Sequence, residues 1–336
     1  MDLSNLEQIL ESDPDYRKQQ AKKAVFQHLI EDWKEATALP LALRERLSRE
    51  CPLRIDAQMF FSSDKKTVKA VITLRDGLEI ESVLMRHEGK RNTVCVSSQV
   101  GCPVGCLFCA TGKMGFKRNL ESLEIVEQVL LFARYLEKKQ EKVTNVVFMG
   151  MGEPFLNYEN VLGAIQTLND PERFNLGARN FSISTVGITE GIEKLAEEDL
   201  QVNLAVSLHA PTDKLRSKLV PFNKKYSVTK IMNALESYIK KTNRRVMLEY
   251  LVIKDFNDSL SEAEKLVRLI RSLKNPLCFV NLISYNPTDS DFRSSPPEKI
   301  KEFKQFLEKS NITVTERYRF GRDLEAACGQ LARQEK

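Results

Sequence analysis

The residues with the clearest chemical potential are cysteines. There are seven, at 51, 95, 102, 106, 109, 278 and 328, and four of them fall within fifteen residues. Cys102, Cys106 and Cys109 are spaced Cys-x3-Cys-x2-Cys inside Ser97-Ser-Gln-Val-Gly-Cys-Pro-Val-Gly-Cys-Leu-Phe-Cys-Ala-Thr-Gly112. Three thiolates on so short a loop can hold three irons of a [4Fe–4S] cubane and leave the fourth iron without a protein ligand. An open iron can bind a substrate or cofactor. A structural zinc site would want four ligands in paired knuckles, and no second knuckle follows. An odd cysteine count with this crowding also argues against a secreted disulfide framework.

Other groups are suggestive only in context. Gly150-Met-Gly-Glu-Pro154 could be a plain strand-to-helix turn, because glycine and proline punctuate any chain. Placed beside a cluster loop, its exposed backbone and one carboxylate could bind a zwitterionic amino acid. His209 alone reads as a structural histidine whose ring nitrogens find backbone partners. Lone cysteines such as Cys95 and Cys328 are commonly apolar filler, and an isolated Glu81 in a hairpin reads as a solvated strand carboxylate.

These residues need a scaffold that brings distant loops together, and the patterning supplies one. The first fifty residues are helical in texture, with apolar positions such as Leu6, Ile9, Leu10, Val25 and Leu29 among many charges. Val68–Leu74, an Asp76-Gly77 turn and Leu78–Val83 read as a small hairpin, since Asp-Gly supplies positive φ. A linker is expected near residues 85–92. Strands at Thr93–Ser98, Asn145–Gly150, Phe181–Val186, Val202–Leu208, Val246–Val252, Cys278–Tyr285 and Ile312–Arg319 then alternate with helices. The helices are expected near residues 120–139, 158–168, 190–197, 228–241, 261–274 and 297–309. Repeated βα units predict a parallel sheet curled into a full or partial barrel, with function at the strand carboxyl ends. A flat doubly wound sheet is the alternative. The expected organisation is a helical accessory domain at 1–55, a hairpin and linker at 56–90, and a barrel core at 91–336.

Larger motifs narrow the reading. Cys95-Val-Ser-Ser-Gln-Val-Gly-Cys102, Phe148-Met-Gly-Met-Gly-Glu-Pro154, Ser207-Leu-His-Ala-Pro211, Tyr285-Asn-Pro287 and Asp323-Leu-Glu-Ala-Ala-Cys-Gly-Gln-Leu331 together resemble the RlmN/Cfr family of radical S-adenosylmethionine RNA adenosine methyltransferases. The likeness runs over nearly the whole chain. It implies a partial (βα)6-type, TIM-like radical SAM barrel with a small amino-terminal helical domain and a β-hairpin. It also implies that Cys102, Cys106 and Cys109 hold the cluster, and that Gly152, Glu153, Ser184, Ser207, Leu208, His209 and Asn286 contact S-adenosylmethionine. By the same resemblance Cys328 becomes methylated by one S-adenosylmethionine, a second is cleaved to a radical, and the carbon is passed to adenine. Cys95 would then release the product by forming a disulfide with Cys328, and Glu81 would accept the ring proton. The interval between Glu81 and Cys95 is one residue longer than in relatives.

The resemblance implies carbon 2 of an adenosine in 23S rRNA, and of the adenosine beside the tRNA anticodon, as the target. Carbon 8 methylation of the same rRNA adenosine, an antibiotic-resistance activity, is the alternative, and Pro154 after Glu153 favours carbon 2. A non-enzymatic electron carrier or sensor is a third reading, which leaves Cys95 and Cys328 unexplained. A reductant such as flavodoxin or ferredoxin is implied, acting on a monomer.

Composition constrains the partner weakly. Of 336 residues, 51 are Lys or Arg and 46 Asp or Glu, a net charge of +5. That is compatible with RNA without requiring it. Lys113, Lys117, Arg118, Lys214, Arg216, Lys218, Lys224, Lys225, Arg317, Arg319 and Arg322 recur near the expected rim and beyond, where phosphate neutralisation needs cations, while most of them read as solvated surface charges; Arg17, Lys18, Lys22 and Lys23 stand beside Tyr16 in the helical segment. No apolar run approaches the ~20 residues of a membrane-spanning helix, and the first residues lack a signal pattern. A cytoplasmic protein is expected.

Overall fold

The computed structural model describes residues 6–288, 290–317 and 321–331. Three helices come first: α1 (Leu6–Ile9), α2 (Asp15–Phe26) and α3 (Leu41–Glu50). Their buried faces, including Ala21, Val25, Leu43 and Leu47, close around Trp33, whose indole N–H donates to the Cys51 carbonyl at 2.6 Å. Three strands follow, β1 (Ala57–Phe61), β2 (Thr67–Thr73) and β3 (Glu79–Arg86), all antiparallel.

The expected linker is absent. β3 runs on to Arg86 and pairs antiparallel with β4 (Asn92–Val96), Cys95 opposite Val83 and Thr93 opposite Met85. The hairpin is therefore the edge of the main sheet. Its strands carry buried Val68, Ala70, Ile72, Ile80 and Leu84, which would be stranded in water if the unit stood apart. A short pair not anticipated from sequence, β5 (Gln99–Gly101) and β6 (Phe116–Asn119), brackets the cysteine loop and the one-turn helix α4 (Ala110–Lys113).

The βα rhythm then appears as read: α5 (Ser122–Glu137), β7 (Asn145–Phe148), α6 (Tyr158–Asn169), β8 (Phe181–Thr185), α7 (Thr189–Glu197) and β9 (Asn203–Ser207). After a one-turn α8 (Asp213–Arg216) come α9 (Val228–Thr242), β10 (Val246–Val252), α10 (Leu260–Arg271), β11 (Cys278–Ser284), α11 (Pro297–Lys309) and β12 (Val314–Glu316). β12 is shorter than expected, and residues 318–319 of the expected strand lie outside the described residues. The sheet order is β1-β2-β3-β4-β7-β8-β9-β10-β11-β12, parallel from β4 onward. This is the partial barrel, not the flat alternative order of a doubly wound sheet.

Local chemistry explains the helices that cover it. α9 starts at Ser227, whose hydroxyl accepts from the Lys230 N–H at 3.3 Å, and stops where Asn243 turns left-handed at φ 49°. Between these signals Val228, Ile231, Met232, Leu235, Tyr238 and Ile239 form one buried stripe. Each such side chain contributes roughly 1.5–3 kcal/mol on burial. The parallel strands β4 and β7 to β11 present their carboxyl ends on the same rim, so the chemistry-bearing loops converge there.

Candidate active site

The cysteine loop leaves β5 at Gly101, where φ is +74° and an added Cβ would lie 1.9 Å from the Gly115 carbonyl oxygen. Only glycine fits that close approach. The loop is then fixed by its backbone: Cys102 N–H donates to Gly115 O at 2.9 Å, Leu107 N–H to Leu219 O at 3.0 Å, and Cys109 N–H to Cys106 O at 3.1 Å. The three thiols line one cavity of about 150 Å3. Burial pushes the Cys102 thiol up to about 12 and raises Cys106 and Cys109 as well. Without metal they are neutral thiols, so ligation must draw off their protons.

Most of the expected cofactor residues line this same cavity: Gly152, Glu153, Ser184, Ser207 and His209. Gly152 has φ +101°, and a Cβ there would meet Gln99 Cβ at 2.6 Å, so bare backbone faces the space. Glu153 is buried, its carboxylate accepting from Phe155 N–H at 3.1 Å and Val186 N–H at 2.7 Å. Burial lifts it to about 7 against those two bonds. Ser184 Oγ lies 3.2 Å from Ser207 Oγ, and both donate to Glu249 Oε2, at 2.6 and 3.2 Å. His209, at φ +59°, accepts the Leu251 N–H on Nδ1 and meets the Phe108 ring edge-on at 4.9 Å. Burial, with the nearby Arg216 charge, lowers it to about 3, so the ring is neutral.

Leu208 departs from the expectation. Its side chain is fully buried away from the cavity, its N–H donates to Glu249 O and its carbonyl accepts Arg216 Nε at 3.0 Å. It spaces Ser207 from His209 instead of touching the space. Asn286 also stands elsewhere, on a second cavity, where its Nδ2 donates to the Cys328 carbonyl at 3.2 Å.

That second cavity, about 420 Å3, is lined by Cys95, Val83, Met85, Asn281 and Thr315, so it spans the barrel between β3, β4 and β12. Cys328 belongs to both cavities, as do Met149, Ile283, Arg317 and Leu331. The loop that carries Cys328 is strapped to the cysteine loop, Ala110 N–H donating to Gly329 O at 2.8 Å and Thr111 Oγ1 to Leu331 O. Cys328 therefore sits in the partition, with the cluster-type thiols on one side and Cys95 on the other. Burial, and then the nearness of Cys328, push Cys95 up to about 12.

Residues 96–270 match the Radical SAM superfamily model. The chain is 42% identical over 98% of its length, and 94% of the relative's, to a probable dual-specificity RNA methyltransferase RlmN of Dictyoglomus turgidum. It is 44% identical to a ribosomal RNA large subunit methyltransferase N of Nitrosopumilus maritimus, covering 94% of this chain and 92% of that one. This chain belongs to the RlmN family. A crystal structure of a radical SAM methyltransferase from Sphaerobacter thermophilus superposes with a TM-score of 0.93 at 44% identity, over 98% of this chain and 97% of that one.

Membership in the RlmN family makes the chain a radical SAM RNA methyltransferase, and the family implies a [4Fe–4S] cluster with S-adenosylmethionine. The residues present fit both groups. Among the described residues no three Cys, His, Asp or Glu side chains converge as ligands of a single metal ion, whereas three thiols around one space suit a cubane that takes one thiolate per iron. The glycine backbone and the serine pair beside them offer donors and acceptors for an amino acid.

Several expected RNA contacts are corrected. Arg216 is fully buried and donates to the carbonyls of Leu208, Ser207, Val186 and Tyr226, tying the ends of β8 and β9 together. Arg118 is held by Asp76 at 2.6 Å and Glu124 at 2.8 Å, and Arg317 faces the partition. Lys113, Lys117, Lys214, Lys218 and Lys224 are exposed, as a phosphate contact requires, and Lys225 is exposed beside Glu190 at 3.8 Å. Arg319 and the Arg322 side chain lie outside the described residues. Glu81 is buried, not solvated, and pairs with Lys69 at 3.1 Å. The residue overlooked in sequence is Glu249, a single charge inside the apolar run Val246–Val252, and that interruption was its signal. Among the described residues no helix is long and apolar enough to cross a membrane.

Proposed function

We propose that this enzyme methylates carbon 2 of an adenosine in 23S rRNA and of the adenosine 3′ to the tRNA anticodon, through a methylated Cys328. The observation that carries this reading is the position of Cys328 in the wall between the two cavities. A carrier that collects a carbon on one side and delivers it on the other needs such a place.

When bound, the cluster and two S-adenosylmethionines per turnover supply one methyl group and one hydrogen-abstracting 5′-deoxyadenosyl radical. Cys102, Cys106 and Cys109 would hold the cluster, and Gly152, Glu153, Ser184, Ser207 and His209 would orient S-adenosylmethionine. Leu208 supports the two residues that flank it. Cys328 Sγ carries the methyl carbon, and Asn286 steadies its loop through the Cys328 carbonyl. The target adenosine must leave its stack to reach this depth. Carbon 2 then bonds to the carrier carbon, and the adduct gives up the ring proton and one electron, which an outside acceptor such as a flavodoxin or ferredoxin would take up. Glu81 is the proposed acceptor of that proton. By strand alternation it shares a face of β3 with Val83 and Met85, which line the larger cavity. Cys95 gives up its thiol proton as its sulfur attacks Cys328 sulfur, so that an S–S bond forms as the C–S bond breaks, and the released carbon takes a proton. An outside dithiol must reduce the disulfide, and a flavodoxin or ferredoxin would supply the electrons for radical formation. The exposed lysines of the rim would meet phosphate, and a monomer suffices, since one chain carries every group named.

The test is anaerobic reconstitution with methyl-labelled S-adenosylmethionine, 23S rRNA fragments and tRNA, followed by mass spectrometry of nucleosides. The expected product is 2-methyladenosine from both RNAs. A labelled 8-methyladenosine would overturn the regiochemistry, and unlabelled RNA with a working cluster would overturn the substrate.

A further inference from the structure

Arg317 follows β12 and has its backbone N–H on Leu282 O at 2.9 Å. Its side chain turns inward to the partition. Nη1 donates to Cys328 Sγ at 3.1 Å and to Glu249 Oε1 at 3.3 Å, and Nη2 lies 2.8 Å from Met149 Sδ. Glu249 is itself immobile: buried on β10, it accepts both Ser184 and Ser207 on its other oxygen. The guanidinium is thus anchored on a fixed carboxylate through Nη1, and the same nitrogen reaches the Cys328 sulfur.

The other titratable groups facing Cys328 are Cys95 on β4, Glu249 on β10 and Cys109 on the cysteine loop. Any anion among these would oppose negative charge on Cys328, and among the described residues Arg317 is the cation in hydrogen-bond contact with that sulfur. We propose that Arg317 is a catalytic residue for methyl loading, its Nη1 contact at 3.1 Å presenting the Cys328 sulfur as the nucleophile on the methyl-donor side of the partition. The inference rests on the reading of Cys328 as methyl acceptor.

The step balances. A thiolate lone pair attacks the methyl carbon of the sulfonium, the new S–CH3 bond forms as the old C–S bond breaks, and its electron pair stays on the departing neutral thioether. One negative and one positive charge are consumed. The methylated sulfur no longer opposes Glu249, and Arg317 remains paired with that carboxylate. The guanidinium thus stabilises the sulfur most before transfer, when it bears charge, and least afterward.

The test uses Arg317→Gln, Arg317→Lys and the isosteric Glu249→Gln. Two rates are read: alkylation of Cys328 by iodoacetamide in metal-free protein, followed by peptide mass spectrometry, and loading of label onto Cys328 from methyl-labelled S-adenosylmethionine in reconstituted enzyme without RNA. Losing a charge-assisted hydrogen bond predicts that R317Q slows both by roughly ten- to a hundredfold. R317K, which keeps the charge with a different geometry, recovers part of both rates, and E249Q, which removes a charge opposing the sulfur and keeps the guanidinium, does not slow the metal-free alkylation. R317Q reacting at the wild-type rate, or E249Q alkylated as slowly as R317Q, would overturn the inference and leave the reading of Cys328 intact. A wild-type Cys328 that acquires no label would overturn that reading instead, and the alkylation rates would still judge the Arg317 contact. Should R317Q bind no cluster, the metal-free alkylation of R317K and E249Q decides, since both keep the charge or shape of the native residue.

Discussion

At the scale of single residues, this site separates two thiols by environment. Cys95 is buried against apolar strand neighbours and stays protonated near neutrality, while Cys328 touches a guanidinium. A Cys95→Ala enzyme should therefore load Cys328 normally and stall after transfer, accumulating a covalent RNA–protein species on denaturing gels. Free methyladenosine at the normal yield would remove Cys95 from the reaction. His87 offers a second prediction. Burial, and then the charges of Arg91 and Arg317, lower it to about 4 from 6.5. A histidine with a depressed pKa binds fewer protons folded than unfolded, so it stabilises the fold above about pH 6.5 and that contribution fades as pH falls toward 4. Urea unfolding of the metal-free protein should show this slope, and His87→Gln should flatten it. An NMR titration of His87 near 6.5 would contradict the assignment.

At the scale of elements, the cysteine loop is held by neighbours more than by its own sequence. The β5–β6 pair closes its base and the Cys328 loop closes its top. Gly101→Ala forces a left-handed residue against a carbonyl already hydrogen-bonded to Cys102, a strain of roughly 1–3 kcal/mol before any clash is counted. The expected outcome is a folded protein that takes up less than half the normal iron on reconstitution, read by iron and sulfide analysis. Full iron content would mean that the loop tolerates a shifted entry.

At the scale of the whole molecule, the helical segment is fastened to the barrel through α5. Arg134 on that helix donates to the carbonyls of Ile30 and Leu53 at 2.6 and 2.9 Å, both buried. Arg134→Met leaves those carbonyls without the guanidinium and should cost about 3–6 kcal/mol for two charge-assisted bonds. Limited proteolysis should then cut first between residues 27 and 56, while S-adenosylmethionine binding persists. If RNA methylation falls while loading of Cys328 is kept, the helices serve RNA; equal loss of both would make them only a brace. The ten-stranded sheet also places the chain's last described loop beside the first strands, Asp323 accepting the Ser63 N–H at 2.8 Å.

The βα alternation, the spacing of the three crowded cysteines and the family were legible in the sequence because each depends on local pattern. Periodicity marks a strand or helix over a few residues, and thiol spacing is a property of one loop. Strand ends were read within a few residues, and α11 and β10 at their observed bounds. What only the tertiary structure decided were relations between distant segments. It joined the hairpin to the barrel edge, turned Arg216 and Arg317 inward from their expected rim, and set Glu249 between the serines and that arginine. It also put Leu208 behind the cavity that its two neighbours line. Charge in a sequence reads as surface because most charges are solvated, and burial of a guanidinium depends on carbonyls and carboxylates contributed from elsewhere in the chain. The same holds for Cys328: its residue type was visible, but its place in the wall between two cavities is a product of closure.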